Sequence, residues 1–235
     1  MLDTKNDVDQ QALIYEATAK PFSRRKFFGI VGGATAIMAT AAACKKDDNN
    51  NNNGGVDLGS GDTGILNYAY ALEQLEAAFY SQVVMTPYSG ISTLEMEYMT
   101  DIRNHEVAHR EFFKAALGSN AIIGLEVDFS SINFSSRDNV LATAKAFEDL
   151  GVTAYNGAGQ LISATADGAT YLTLAGKIVS VEARHAALIA DLISNGTFAN
   201  TVDGMGLDSA RTPSEVLSIA GAYIKTKINA SNLPS

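Results

Sequence analysis

Residues 102–113 read IRNHEVAHREFF, and the interpretation of the whole chain starts from this stretch. With the 3.6-residue period of an α-helix, Glu106 and His109 fall one turn apart on a stripe that is otherwise apolar. The apolar members of the stripe are Met99, Ile102, Phe113 and Leu117. Burying a carboxylate or an imidazole without a partner is costly, and a metal ion is one partner that serves both.

The same pattern recurs downstream, where Glu182 and His185 stand at the same spacing within VEARHAAL, residues 181–188. The apolar residues of this second stripe are Tyr171, Leu174, Ile178, Ile189 and Leu192. A single Glu-x-x-His pair is weak evidence, because two residue types at a fixed spacing arise by chance in many helices. Two copies in matching stripes are much stronger evidence for a shared site.

An internal repeat relates the two halves of the chain. The pairs that superpose, at offsets of 75 or 76 positions, are Leu66 with Leu141, Glu73 with Glu148, Tyr80 with Tyr155, Glu106 with Glu182 and His109 with His185. The first helix carries two acidic candidates, Glu73 and Glu76. Position 76 superposes on Gly151, whereas position 73 superposes on a second glutamate, so the repeat favours Glu73 and leaves Glu76 as the alternative.

The periodicity and the helix-end signals predict an all-α domain. Four helices are expected at about 64–85, 93–117, 137–163 and 169–194, the second behind a capping box at Ser92 and the third behind Ser136. Residues 119–136 carry apolar side chains without a helical period, which predicts a long crossover after helix 2. A fifth helix is expected from Pro213 to about Asn229, with a second capping box at its start.

These helices predict a di-metal site. One Glu from each of two helices, with a Glu-x-x-His from each of the other two, is the ligand set of carboxylate-bound di-iron and di-manganese bundles. The expected ligands are Glu73, Glu106, His109, Glu148, Glu182 and His185, with Glu106 and Glu182 bridging two ions. Four carboxylates balance the charge of two divalent ions, so the filled site is neutral.

Three further residues stand near these ligands in the sequence. Tyr80 and Tyr155 lie two turns beyond the terminal glutamates on the same faces. They are candidates for hydrogen bonds to the ligands or for redox activity, and core packing is the alternative. His105 lies one turn before His109 but superposes on Val181, so it is interpreted as a residue that flanks the site.

Residues 1–43 are predicted to be an export signal. Arg24 and Arg25 precede a Gly- and Ala-rich apolar run that ends in three alanines before Cys44, which is the order of a secretory signal. The paired arginines resemble a twin-arginine signal, and the small residues before Cys44 resemble a lipobox in which Ala41 stands where Leu is usual. The alternative, an uncleaved anchor at 27–43, is short and weakly apolar for a membrane span.

Residues 44–63 are predicted to be a flexible Asn- and Gly-rich tether, because they cannot bury apolar surface. The helical domain would follow, as a bundle at 64–196 and a C-terminal extension at 197–235. The expected location is the periplasm or the outer-membrane surface, with a lipid on Cys44 holding the protein to the membrane. A net charge of −9 gives no electrostatic reason to expect nucleic acid, and a single cysteine forms no internal disulfide.

The stretches LEQLEAAFY at 72–80, HEVAH at 105–109, EARH at 182–185 and PSEVL at 213–217 resemble the ferritin-like superfamily. Within that superfamily they resemble especially the bacterial ferritin-like domain proteins related to plant desiccation-associated proteins, and the resemblance covers about 64–229. It implies a four-helix bundle with one crossover and a fifth helix, holding two iron ions, with manganese as the alternative. The chain lacks rubredoxin-type Cys pairs, which argues against full-length rubrerythrin.

Two functions from different classes remain open at this point. The first is a di-iron oxidoreductase, of ferroxidase or peroxidase type, whose partner is a small oxidant or Fe2+. The second is a non-catalytic envelope protein for binding or for protection against desiccation and stress, with a vestigial or structural metal site. The sequence leaves the oligomeric state open, a dimer being one option.

Overall fold

Five α-helices make up most of residues 54–235, the part of the chain that the computed structural model describes. They are α1 Gly61–Met85, α2 Thr93–Leu117, α3 Arg137–Ala158, α4 Ala166–Ile193 and α5 Pro213–Ala220. The all-α fold with a C-terminal helix is therefore confirmed. The predicted export signal, Cys44 and the tether up to residue 53 lie outside the described residues. Within 54–235, no helix is both long and apolar enough to cross a bilayer.

The caps that the sequence predicts at Ser92, Ser136 and Thr212 all form in the structure. The hydroxyl of Ser92 accepts a hydrogen bond from the Glu95 amide at 3.1 Å, and the Glu95 carboxylate accepts one from the Ser92 amide at 3.4 Å. Thr212 and Glu215 form the same reciprocal pair at the start of α5. Ser136 caps α3. Each cap satisfies amides that the first turn of a helix leaves without a partner.

Side-chain contacts between helices show how the chain runs. A 25-residue helix is about 37 Å long, whereas residues 86–92 span at most about 25 Å, so α1 and α2 are antiparallel. Tyr80 contacts Glu148 and Tyr155 contacts Glu73, so α3 also runs antiparallel to α1. Arg137 at the start of α3 bonds to Glu95 in the first turn of α2, which makes those two helices parallel.

The crossover between α2 and α3 runs along α1, where two buried amides hold it. Asn67 donates to the Asn120 carbonyl at 2.9 Å and accepts from the Ile122 amide at 3.0 Å. Gln74, two turns further along α1, accepts from the Leu125 amide at 2.8 Å. The long crossover predicted after helix 2 is therefore fastened directly to the helix that carries Glu73.

The fifth helix is shorter than predicted, because it ends at Ala220 and not near Asn229. Val216, Ala220 and Ile224 are buried, so the apolar pattern was a correct sign of burial. Beyond the helix the chain is extended: Ile224 forms an antiparallel bridge with Val127, and Ile228–Asn229 pairs as a parallel strand with Val56–Asp57. β-Branched residues fit this extended geometry well, which explains why a regular apolar spacing here does not mean a helix.

Two further boundaries differ from the prediction. Residues 56–63, assigned to the tether, form strand Val56–Asp57 and the first turn of α1, because the C-terminal strand offers them backbone partners. The third helix ends at Ala158 and continues as the 3-10 turn Gly159–Leu161, so it does not reach Ser163. Gly157 lies where a Cβ would overlap the Arg211 carbonyl, so the loop before α5 packs directly on this end of α3.

Candidate metal centre

The six predicted ligands meet inside the bundle. The four glutamates are fully buried, His185 is 5% exposed, and the side chain of His109 is 12% exposed. Their candidate ligand atoms form two groups, and within each group these atoms lie within 4.8 Å of one another. The first group is Glu73, Glu106, His109 and Glu182, and the second is Glu106, Glu148, Glu182 and His185.

Two glutamates belong to both groups and present one oxygen to each. Oε2 of Glu106 lies 3.4 Å from Nδ1 of His109, and its Oε1 lies 2.9 Å from Nδ1 of His185. Oε1 of Glu182 lies 2.8 Å from Nδ1 of His109, and its Oε2 lies 3.7 Å from Nδ1 of His185. Glu106 and Glu182 therefore have the geometry of carboxylates that bridge two positions.

The other two glutamates each belong to one group. Oε2 of Glu73 lies 3.4 Å from Nδ1 of His109, and Oε2 of Glu148 lies 3.5 Å from Nδ1 of His185. Their second oxygens are occupied elsewhere: Oε1 of Glu148 accepts a 2.5 Å hydrogen bond from the Tyr80 hydroxyl, and Oε1 of Glu73 accepts one from Tyr155. Each of these glutamates thus offers a single oxygen to the cluster, as a terminal ligand does.

Eight buried atoms of this cluster have no hydrogen-bond partner within residues 54–235 other than one another. They are both oxygens of Glu106 and of Glu182, Oε2 of Glu73 and of Glu148, and Nδ1 of His109 and of His185. Buried polar atoms without partners cost roughly 1–3 kcal/mol each, so an interior rarely keeps several together. All eight are metal-ligand atoms that face one another, so the residues present fit one or two divalent cations.

The ionisable groups of the cluster have strongly shifted pKa values. Burial alone would lower the pKa of His109, but contacts with Glu106, Glu182 and Glu73 raise it to about 12. Contacts with Glu106, Glu148 and Glu182 likewise raise the pKa of His185 to about 12, although burial opposes this shift. Burial raises the pKa of Glu148 to about 8 although His185 opposes it. The protein therefore takes up protons here, and cations of another kind can replace them.

A fifth buried carboxyl group lies beside the cluster but outside both groups. Glu76 is 3% exposed and, among residues 54–235, has no hydrogen-bond partner. Burial, followed by the charges of Glu182 and Glu106, raises its pKa well above the usual value. It points at Gly151 on α3, where a Cβ would stand 3.1 Å from Oε1. The converging atoms thus come from Glu73, and Glu76 lies beside them at the crossing of α1 and α3.

His105 is in contact with the site from outside. Its Nδ1 lies 2.9 Å from Nε2 of His185, the ring nitrogen that points away from the carboxylates. The two rings are nearly parallel, at 8°, with centroids 5.1 Å apart. Burial and the nearby His185 and His109 lower the pKa of His105, so it is neutral at pH 7. The sequence placed His105 near the site but gave no sign that it reaches across to the other Glu-x-x-His helix.

Fold and site together define the class of protein: a four-helix bundle whose buried carboxylate and histidine cluster could hold metal ions. The family model of the ferritin-like domain matches residues 61–195, which is more than half of the chain. The chain therefore belongs to the ferritin-like domain family, as its sequence motifs suggested. No curated protein sequence matches it at a significant level.

Proposed function

We propose that the protein is a di-metal carboxylate protein of the cell envelope that holds two iron ions and reacts with peroxide or dioxygen, or oxidises Fe2+. The observation that carries the proposal is the division of oxygens between the two ligand groups, in which Glu106 and Glu182 each face both imidazoles. A single ion does not need carboxylates that face two imidazoles, whereas a pair of closely spaced cations does.

Each residue has a defined part in this proposal. Glu106 and Glu182 would be shared between the two ions. Glu73 and Glu148 would each hold one ion from α1 and α3, and His109 and His185 would do so from α2 and α4. Iron bound there would supply electrons and a Lewis acid. Four carboxylates and two neutral imidazoles give the charge that two divalent ions cancel, so filling the site removes the repulsion that burial now imposes.

The two tyrosines have positions from which they act on the ligands. Tyr80 and Tyr155 are fully or nearly fully buried, and each donates its hydroxyl hydrogen to the oxygen of a terminal glutamate that faces away from the cluster. Each bond fixes the carboxylate so that its other oxygen points inward. Each phenol is also a buried source of a hydrogen atom next to the site, which is the role proposed for them as catalytic residues.

The interior next to the cluster holds little open space. A cavity of about 10 Å³ lies beside Glu76 between α1 and α3, and its other lining residues are Leu72, Leu75, Phe147, Leu150 and Gly151. That volume holds about one water molecule. Like two larger surface grooves at 91–101 and 212–235, the cavity is lined by none of the six ligands.

Metal analysis with turnover measurements tests the proposal. We expect two iron ions per chain in protein purified under reducing conditions, and rapid consumption of peroxide or oxidation of Fe2+. Glu106→Ala is expected to remove both properties, whereas Glu97→Ala, on the exposed face of the same helix, is expected to remove neither. Fewer than one metal ion per chain in the unaltered protein would overturn the proposal.

The same measurements separate the redox proposal from the non-catalytic alternative. If the protein binds two metal ions but turns over neither peroxide nor Fe2+, the metal is structural and a role in binding or stress protection is favoured. If turnover is rapid and His109→Ala or His185→Ala abolishes it, the non-catalytic alternative is excluded.

The envelope location rests on residues 1–53 and is a proposal from sequence. Export by the twin-arginine route would let the site load metal before the folded protein crosses the membrane. Changing both Arg24 and Arg25 to Lys is expected to block export, and Cys44→Ala is expected to release the exported protein from the membrane. Normal export of the double variant would contradict the route.

A further inference from the structure

The contact between His105 and His185 determines which ring nitrogen of His185 carries the hydrogen. Nδ1 of His185 faces the carboxylates. If it gives its lone pair to a metal ion, the neutral imidazole must carry its hydrogen on Nε2. That nitrogen lies 2.9 Å from Nδ1 of His105, which accepts the hydrogen bond when His105 carries its own hydrogen on Nε2. The nearly parallel rings fix the plane of the ligand as well as its tautomer.

The other half of the repeat lacks this support. Val181 stands on α4 where His105 stands on α2, and an isopropyl group accepts no hydrogen bond. Within residues 54–235, Nε2 of His109 has no protein partner, and the His109 side chain is 12% exposed against 6% for His185. The repeat is nearly symmetric, but only one of its two imidazole ligands, His185, is held by a second histidine.

We propose that His105 makes the two metal positions unequal, by orienting His185 so that the position of Glu148 and His185 binds a divalent cation more tightly than the position of Glu73 and His109. His105 is a positioning residue in this scheme and touches no ion. The inference rests on the proposed di-metal function. Partners that orient a metal-binding histidine typically change metal affinity by about 10–100-fold, which sets the difference expected between the two positions.

Titration of chelator-treated protein with Co2+ tests the inference without any turnover assay. Calorimetry and the visible absorption of Co2+ should show two binding steps that differ by about 10-fold or more. His105→Phe keeps an aromatic ring but removes the acceptor, and should weaken the tighter step by about 10-fold or more while leaving the weaker one unchanged. Asn104→Ala is the matched control, an exposed residue of α2 next to His105, and should change neither step.

Introducing the missing histidine on α4 provides an independent test. Val181→His supplies an imidazole at the equivalent position of α4, and should strengthen the weaker step and bring the two steps closer together. Two equal steps in the unaltered protein, or two unequal steps that His105→Phe leaves unchanged, would overturn the inference while leaving the di-metal proposal intact. Absence of any Co2+ binding would instead refute the di-metal proposal itself.

Discussion

Gly151 lies against Glu76 at the crossing of α1 and α3, and a Cβ on Gly151 would stand 3.1 Å from Oε1 of Glu76. The two positions are equivalent in the internal repeat. The hydrogen bonds of Tyr80 and Tyr155, one on either side, show that the helices cross symmetrically about this pair. The centre of the crossing therefore holds one carboxyl group, carried by α1, and glycine on α3 provides the space for it.

Restoring the repeat at this point is expected to damage the fold. Gly151→Glu places a second carboxyl group on the first, and we expect it to lower the free energy of unfolding by roughly 3 kcal/mol. Adding Glu76→Gly removes the overlap and should recover most of this loss, apart from about 1 kcal/mol for a glycine inside α1. Urea unfolding of the single and double variants measures both effects.

A second glycine provides the control for this experiment. Gly176 on α4 has open space around its Cβ position, so Gly176→Glu should cause no loss of stability. If Gly151→Glu is as stable as the unaltered protein, the crossing accommodates two carboxyl groups and the explanation for the broken repeat is wrong.

Metal uptake is expected to release protons. The carboxylate contacts raise the pKa values of His109 and His185 to about 12, so both rings are protonated at pH 7 when no ion is bound. A metal ion needs the neutral ring, so filling both positions should release at least one proton from each imidazole. Calorimetry of Co2+ binding in buffers with different ionisation enthalpies counts these protons. A count of zero would show that the imidazoles do not bind the ions.

The stability of the chelator-treated protein should fall as the pH rises from about 4.5 to 8. Burial raises the pKa of Glu148 from 4.5 to about 8, so the folded protein holds this proton more tightly than the unfolded chain. The stabilisation is complete below the unfolded pKa and is lost as the pH rises through the folded one. Thermal unfolding across this range measures the slope. Glu148→Gln, which stays neutral, should reduce the slope. The remainder comes from the raised pKa values of Glu73 and Glu76 and, above about pH 6.5, of the two imidazoles, which act with the same sign. An unchanged slope would contradict this assignment.

Much of the site was predictable because its signal is periodic. The stripe on α2 contains Glu106 and His109, and a repeat places Glu182 and His185 on a second stripe, so pattern and copy number reinforce each other. All six proposed ligands converge in the structure. Whether they bind metal stays a prediction. The spacing on α1 alone did not separate Glu73 from Glu76, and only the repeat made the distinction.

What the sequence could not predict depends on contacts between distant segments. His105 and His185 are 80 positions apart in the sequence, and no local pattern predicts their contact. The strand at Ile228–Asn229 forms because Val56–Asp57 lies beside it, so a helical apolar period extended the fifth helix wrongly. α1 shows a further limit: it buries Asn67 and Gln74 as well as its apolar face, because the crossover covers them.

The hydroxyls of the two tyrosines that bond to the terminal glutamates should stabilise the fold more than a buried hydroxyl without a partner does. Tyr80→Phe and Tyr155→Phe each remove a bond to a buried glutamate. We expect each to lower the free energy of unfolding by about 1.5–3 kcal/mol in the metal-loaded protein, in which these glutamates are ionised. Tyr68→Phe is the matched control, because the buried Tyr68 hydroxyl has no hydrogen-bond partner among residues 54–235 and its loss should be neutral or stabilising. Urea unfolding measures all three, and equal effects would contradict the assigned hydrogen bonds.

The amides that fasten the crossover should support both the fold and the metal affinity. Asn67→Ala removes the partner of the Ile122 amide and of the Leu58 and Asn120 carbonyls, and Gln74→Ala removes the partner of the Leu125 amide and of the Ile123 carbonyl. Because Asn67 makes three such bonds and Gln74 two, and an unsatisfied group costs at most about 1–3 kcal/mol, Asn67→Ala should cost more than Gln74→Ala in urea unfolding.

Gln74 stands next to Glu73 on α1, so loosening the crossover there should also weaken Co2+ binding at the Glu73 position, whereas Asn67→Ala, nearly two turns away, should lower stability with little effect on binding. Asn104→Ala, which removes an exposed amide from α2, controls for the loss of a helix amide and should change neither property. If all three variants unfold at the same urea concentration, the crossover is held by its apolar side chains and the two amides contribute nothing measurable to the fold.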